Sequence, residues 1–349
     1  MSSYGYLFDA EGQDHQVKLD REVIEAVGDS QLLWVDLTGE EEAVIRGVTD
    51  MLELSNALLN DIFDTDGSLK QLQRPRLDLY SNCFYLNVQA VQERSGGDPD
   101  DKPKSGIGSR SGNVSFRLIM VHFVVFANIV LTIHSEPATF LESFDRRIKG
   151  DTHLGSLDGP AFVGALLNWH ITGFFRAVET LESEVDRIDD AALLLRRNRE
   201  ERDLLVEMVK ARRRLAVVRR ALLPHREVYA TMARPRFAPF VTAHASETLQ
   251  LLSGRLDRAI EATENARELV LGSFDIFATQ TALRTNEVVK ILTVVSALLL
   301  PAGVIANLAV LFIRSPVYDL GRVGLWAVLT GLALFGTTFV TVARRRSWI

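Results

Sequence analysis

The hydrophobic rhythm of the chain changes twice. From residue 4 to about 150, short alternations of apolar and polar residues dominate. Gln31 to Leu37 (QLLWVDL) is a compact β-like run, and Arg76 to Gln92 alternates through Leu77, Leu79, Phe84, Leu86 and Val88. Val114 to Phe126 and Ile129 to Ile133 add two stretches rich in β-branched and aromatic residues, which suit a pleated surface. Glu40 to Asp64 reads instead as helix, with Leu52, Leu54, Leu58, Leu59 and Ile62 on one face. Ser95 to Gly112, rich in Gly, Pro, Ser and Asp, reads as a loop between strands.

From about Gly159 the β signal stops and three long helical segments follow, with apolar residues three and four apart. The first runs to about Arg197 and the second from Glu200 to about Ala233. Pro224 and the segment RPRFAP (Arg234 to Pro239) mark the turn region. The third starts near Ala243 and meets no proline until Pro301, so a continuous helix to Ile313 would span on the order of 100 Å.

The second change comes at Ile291. Ile291 to Ile313 and Val323 to Ala343 are two uncharged apolar runs, each long enough for a hydrocarbon core of roughly 30 Å. Only Arg314 to Arg322 separates them, which predicts a tight transmembrane hairpin. Lys290 before the first run and Arg344, Arg345 and Arg346 behind the second place both ends in the cytoplasm by the positive-inside rule. Arg314 and Arg322 oppose that orientation, but their loop is short and carries Asp319. MSSYGYLFDAEGQ shows no basic n-region and no apolar h-region, so export of the large domain is not expected, and one cysteine, Cys83, suits a reducing compartment.

The expected fold class is therefore α+β, at the inner membrane with both termini cytoplasmic. Residues 1–158 form a cytoplasmic α/β domain and 159–290 a helical stalk. A pore-lining transmembrane helix follows at 291–313, then an outer loop at 314–322, a second transmembrane helix at 323–343 and a basic tail at 344–349. The chain is 47% hydrophobic and 24% charged, and its formal net charge of −6 argues against a nucleic-acid partner.

Read in sevens, the third helix gives Gly272, Thr279, Asn286, Thr293, Leu300 and Asn307, a largely polar stripe that continues into the apolar run. Ser296 shares that face. Helices packed around a common axis keep such a stripe inward, and asparagine in hydrocarbon faces a bundle interior or a wet cavity. One hairpin cannot enclose a pore, so conduction requires an oligomer. In such a ring Asn286, Thr293, Ser296, Leu300, Gly303 and Asn307 would line the axis, with an apolar constriction at Leu300. The alternative is that Thr293 and Ser296 bond back to their own helix and Asn307 joins two helices.

Below the membrane, Asp257, Glu261, Glu264, Glu268 and Asp275 share one face of the same helix. A ring of such faces would draw cations to an inner mouth. The alternative is a solvated charged face partly neutralised by Arg258 and Arg267. Asp275 stands alone in GSFDIFAT. The seven histidines form no HxH, HxxxH or HExxH pair, and no CxxC exists, so no structural zinc site is expected. Neither a Walker loop nor a GxSxG motif is present, which argues against an enzyme and a bound cofactor.

RTNEVVKILTVVSALLLPAGVIA (Arg284 to Ala306) resembles the segment leading into the first membrane helix of CorA-type divalent-cation transporters. ARRRSWI (Ala343 to Ile349) resembles that family's basic C-terminus, and QRPRLDLY (Gln73 to Tyr80) and LLPHREVYATM (Leu222 to Met232) resemble landmarks of its ZntB branch. The resemblance covers the whole chain in order. It implies a funnel-shaped homopentamer in the lipid bilayer, with zinc or magnesium as the transported ion and ZntB-like zinc uptake, coupled to protons, as the leading reading. It also implies that Asn286 is a polar entrance residue, that Val289, Leu292 and Leu300 are hydrophobic constrictions, and that Asp275 is a funnel acid. The family closes its first membrane helix with Gly-x-Asn, where this chain has Val310, Leu311 and Phe312 at the outer mouth beside Arg314 and Asp319. That departure keeps a second reading open: a non-conducting, membrane-anchored scaffold.

Overall fold

A computed structural model describes residues 4–10, 13–39, 42–64, 68–70, 73–95, 114–147, 158–193, 198–235, 237–313 and 321–345. Nearly all of the expected Ser95–Gly112 loop, the outer loop through residue 320 and residues 346–349 lie outside the described residues. The chain divides into two compact units. One comprises Met1–Ala191 with Leu195–Ser273, the other Ala192–Leu194 with Phe274–Ile349.

The first unit is built on seven strands: β1 (Tyr4–Asp9), β2 (His15–Lys18), β3 (Gln31–Thr38), β4 (Arg76–Leu79), β5 (Phe84–Ser95), β6 (Val114–Val125) and β7 (Ile129–His134). Their spatial order is β2-β1-β3-β7-β6-β5-β4. Neighbours are antiparallel except β3 and β7, which run parallel with Leu33 opposite Ile129 and Leu37 opposite Ile133. The expected run from Arg76 to Gln92 is in fact a hairpin. Tyr80 N–H donates to the Cys83 carbonyl at 2.9 Å, folding β4 back onto β5.

Alternation along β3 sorts the two faces of the sheet. Leu33, Val35 and Leu37 pack with Leu131, Ile133, Val124 and Tyr85 beneath α1 (Arg21–Glu25), α2 (Glu42–Met51) and α3 (Asn56–Ile62). The helix expected over Glu40–Asp64 is thus two helices. Glu53 takes a left-handed φ of 53°, and the Ser55 side chain caps α3 by accepting from Leu58 N. On the other face Trp34 meets α4 (Thr139–Arg147) and α5 (Gly159–Leu193), with ring centroids 6.0 Å from Phe144 and 5.6 Å from Phe162. Gly159 opens α5 hard against the β6–β7 turn. A Cβ there would lie 2.2 Å from the Phe126 carbonyl oxygen, so no other residue fits.

α6 (Asn198–Leu222) and α7 (His225–Met232) break at Pro224, as the sequence implies. α8 (Ala243–Ile313) is one helix of 71 residues, and α9 (Gly321–Arg345) follows. α8 contains a stretch long and apolar enough to cross a bilayer, of which only 6% is buried within the structure. In α9 the described apolar stretch is Leu329–Phe339.

Candidate functional site

α8 carries nearly every residue of the expected pathway, and burial divides its apolar part into two faces. Val294, Ala297, Leu298, Pro301, Ala302 and Ile305 are half-buried. Their spacing of three and four residues marks one side of the helix. Asn286, Thr293, Ser296 and Asn307 are exposed and, at ~100° per residue, fall within an arc of about 80° on the adjoining side. Val289, Leu292, Leu300 and Gly303 are exposed around the same arc, Leu300 at 71%. Exposure alone does not distinguish this stripe, because Val288, Ile291, Leu299 and Val304 are exposed too. Polarity does.

The hydrogen bonds separate the stripe further. Thr293 Oγ1 donates to the Val289 carbonyl of its own helix at 2.7 Å. Its hydroxyl is satisfied internally, as the alternative reading of the sequence supposes. Asn286, Ser296 and Asn307 have no side-chain partner among the described residues. The backbone of Val310, Leu311 and Phe312 is helical and continues α8, while Arg314 and Asp319 lie outside the described residues.

The five acidic residues also split. Asp257 pairs with Arg226 at 3.0 Å and Glu264 with Arg219 at 2.5 Å. The neutralising cations come from α6 and α7, not from Arg258 and Arg267 on α8. Glu261, Glu268 and Asp275 are exposed and without an ion-pair partner among the described residues. Asp275 belongs to the second compact unit, the other four to the first.

The histidines looked scattered in sequence, yet the first unit gathers two of them. His170 on α5 and His225 on α7 lie with ring centroids 4.9 Å apart, and both are buried. His170 Nε2–H donates to the Gln89 carbonyl at 2.9 Å, leaving Nδ1 to accept from the Tyr229 hydroxyl at 3.0 Å. Gln89 N–H donates to His225 Nε2 at 3.0 Å, and His225 Nδ1–H donates to the Ala221 carbonyl at 2.9 Å. Every ring nitrogen is thereby occupied. Burial pushes His170 down to about 4 and His225 well below its ordinary value, so both are neutral at physiological pH. His122 is held likewise at about 4 by burial, accepting from Tyr85. His134 is the exception. Burial works against its charge, but the Asp36 carboxylate 3.0 Å from Nε2 outweighs that and raises it. Sequence spacing does not reveal these contacts, because β5, α5 and α7 are far apart along the chain. Among the described residues no cluster of three or more His, Cys, Asp or Glu is placed to hold a metal.

The family description CorA-like Mg2+ transporter protein matches residues 29–308. The chain is 19% identical over 321 residues to the cobalt/magnesium transport protein CorA of Thermotoga maritima, covering 90% of this chain and 83% of that one. It is 24% identical over 317 residues to the divalent cation transporter CmaX of Pseudomonas aeruginosa, covering 87% and 84%. The complete structure of the CorA magnesium transporter from Methanocaldococcus jannaschii superposes with a TM-score of 0.70 at 18% identity, covering 99% and 98%. The ZntB cytoplasmic domain from Vibrio parahaemolyticus shares the fold at a TM-score of 0.55 and 11% identity, covering 81% and 99%. The parallel β3–β7 pair, the unbroken α8 and the short α9 are thus parts of a known architecture, and the chain belongs to the CorA-like Mg2+ transporter family.

Proposed function

We propose that this chain carries divalent cations across the inner membrane as a homopentamer with α8 around the axis and both termini in the cytoplasm. One observation carries the reading. Ser296 and Asn307 stand on the otherwise apolar, exposed stretch of α8, with Asn286 just below it, and none of the three has a side-chain partner among the described residues. In hydrocarbon such groups need water, a cation or another copy of the helix. A ring of α8 helices supplies all three. Leu300, before Pro301, would form the constriction, with Val289 and Leu292 as further apolar rings. Glu261, Glu268 and Asp275 keep free carboxylates to concentrate cations below.

The donor chemistry favours magnesium, with cobalt as a second substrate. Amide and hydroxyl oxygens suit a hard, hydrated cation, and the stripe holds no histidine or cysteine of the kind zinc selects. The landmarks that resemble ZntB serve packing. His225 and Tyr229 belong to the buried network, and Arg76 pairs with Asp61 and Asp78. They support the fold without choosing an ion. Zinc uptake coupled to protons is therefore the second reading.

The test is flux of magnesium, cobalt and zinc, each alone, into liposomes holding the purified protein, with and without a pH gradient. Magnesium entry that falls about tenfold or more in Asn307→Leu is expected. Unchanged entry in that variant would remove Asn307 from the pathway. Zinc entry that follows the gradient would favour the second reading. Silence for all three from folded, oligomeric protein would favour the scaffold.

A further inference from the structure

A cavity of about 460 Å³ lies between α6 and α8 within the first compact unit. Four arginines line it: Arg212, Arg219 and Arg220 from α6, and Arg267 from α8. Against them stands one carboxylate, Glu264, held by Arg219. Arg212, Arg220 and Arg267 have no acidic partner among the described residues. The cavity is not polar throughout, since the buried side chains of Leu215 and Val270 line it as well.

Ordinary helix electrostatics explains part of this cluster. Arg219 and Arg220 sit in the last turn of α6, where the helix dipole favours cations. It does not explain Arg212, two turns earlier, or Arg267, which reaches the same cavity from another helix. Four like charges set against a single paired carboxylate repel one another and weaken the folded state. Such an arrangement is worth keeping where an anion completes it. The four arginines are exposed side chains that line one cavity, and guanidinium groups so gathered suit phosphate oxygens, which they grip through paired N–H donors. An apolar wall beside them suits a planar or apolar group attached to that phosphate, and the volume falls within the range of small-molecule sites.

We propose that this cavity binds a soluble phosphate-bearing anion with a planar or apolar part, the chemistry of a nucleoside di- or triphosphate. The assignment rests on the α6–α8 geometry and is independent of the transport reading. The ligand would bridge α6 to the helix that bears the polar stripe.

Calorimetric titration of the full-length protein in detergent and metal-free buffer tests it, using ATP, pyrophosphate and adenosine as separate probes. Saturable ATP binding is expected, with pyrophosphate about tenfold weaker and adenosine undetectable. ATP should also raise the unfolding temperature. The double variant Arg212→Gln/Arg267→Gln should lose at least about tenfold in ATP affinity. Arg213→Gln, exposed on the same helix but outside the cavity, should bind as the parent does. Unfolding of each variant without ligand checks that its fold is intact. Absence of saturable ATP binding overturns the proposal, as does unchanged binding by the double variant. Pyrophosphate binding as tight as ATP overturns the assignment of the apolar wall.

Discussion

The two compact units obey one rule in two solvents. In the first, the buried histidine pair is fully partnered: His170, His225, Tyr229 and Gln89 close a network in which each ring nitrogen has its partner. In the second, Val288, Ile291, Leu299, Leu300 and Val304 face outward, and polar groups are the minority. An unpaired amide on the first unit's surface means nothing, because water serves it. On α8 beyond Ile291 the same unpaired amide demands an external partner. The contrast shows how to weigh an unpaired polar group in such a chain: in the membrane part a single one is informative, whereas in the soluble part only a cluster is, as with the arginines between α6 and α8.

The widest gap between the units is set by acid. His122 and His170 titrate at about 4 in the folded chain because they are buried, against an ordinary 6.5. Between those values the unfolded chain takes up protons that the folded chain refuses, so their stabilisation is complete above 6.5 and lost as pH falls toward 4. The loss is on the order of 3 kcal/mol for each, and His225 acts in the same direction. His134 has the opposite sign. Its contribution is full below 6.5 and fades as pH rises through its raised folded value. Near-UV circular dichroism should therefore show the first unit's aromatic packing melting at much lower temperature at about pH 4.5 than near neutrality. An unchanged midpoint would mean these histidines are not neutral and buried.

Phe162 tests the same unit without charge. It is fully buried between Phe8, Trp34 and Phe144, so Phe162→Ala should cost about 3–5 kcal/mol in chemical unfolding. A smaller step follows from Tyr229→Phe, which leaves His170 Nδ1 without its donor. Its expected cost is about 1–3 kcal/mol, and a neutral result would show that water fills the gap.

The sequence revealed these two units unequally. α8 was legible from Ala243 to Ile313 because proline and glycine breakers are scarce and the apolar pattern never lapses. β3, β6 and β7 were legible from their β-branched and aromatic runs. β1 and β2 were not read: β1 (Tyr4–Asp9) lacks the β-branched residues that mark β6 and β7, and β2 (His15–Lys18) is a short, largely exposed edge strand with little apolar pattern. The split between α2 and α3 depends on a left-handed Glu53, which single-residue propensity does not foresee. The stripe itself was readable because α-helical spacing is local. The partners of Asp257 and Glu264 were not, since Arg226 and Arg219 approach from other helices.

The finest distinction lies within the stripe. Thr293 and Ser296 are both hydroxyl residues on one face, yet only Thr293 returns its hydrogen bond to its own helix, at Val289. Its hydroxyl proton is committed to the backbone and its rotor is thereby fixed, whereas Ser296 has no such bond among the described residues and can turn its hydroxyl to water or a cation. Thr293→Ala should shift the unfolding of the purified oligomer by no more than about 0.5 kcal/mol and leave cation flux within about twofold of the parent. Ser296→Ala should slow flux more than that while changing stability as little. If Thr293→Ala instead stops flux and Ser296→Ala does not, the backbone bond fails to explain the stripe, and the Thr293 methyl or hydroxyl must itself face the passing ion.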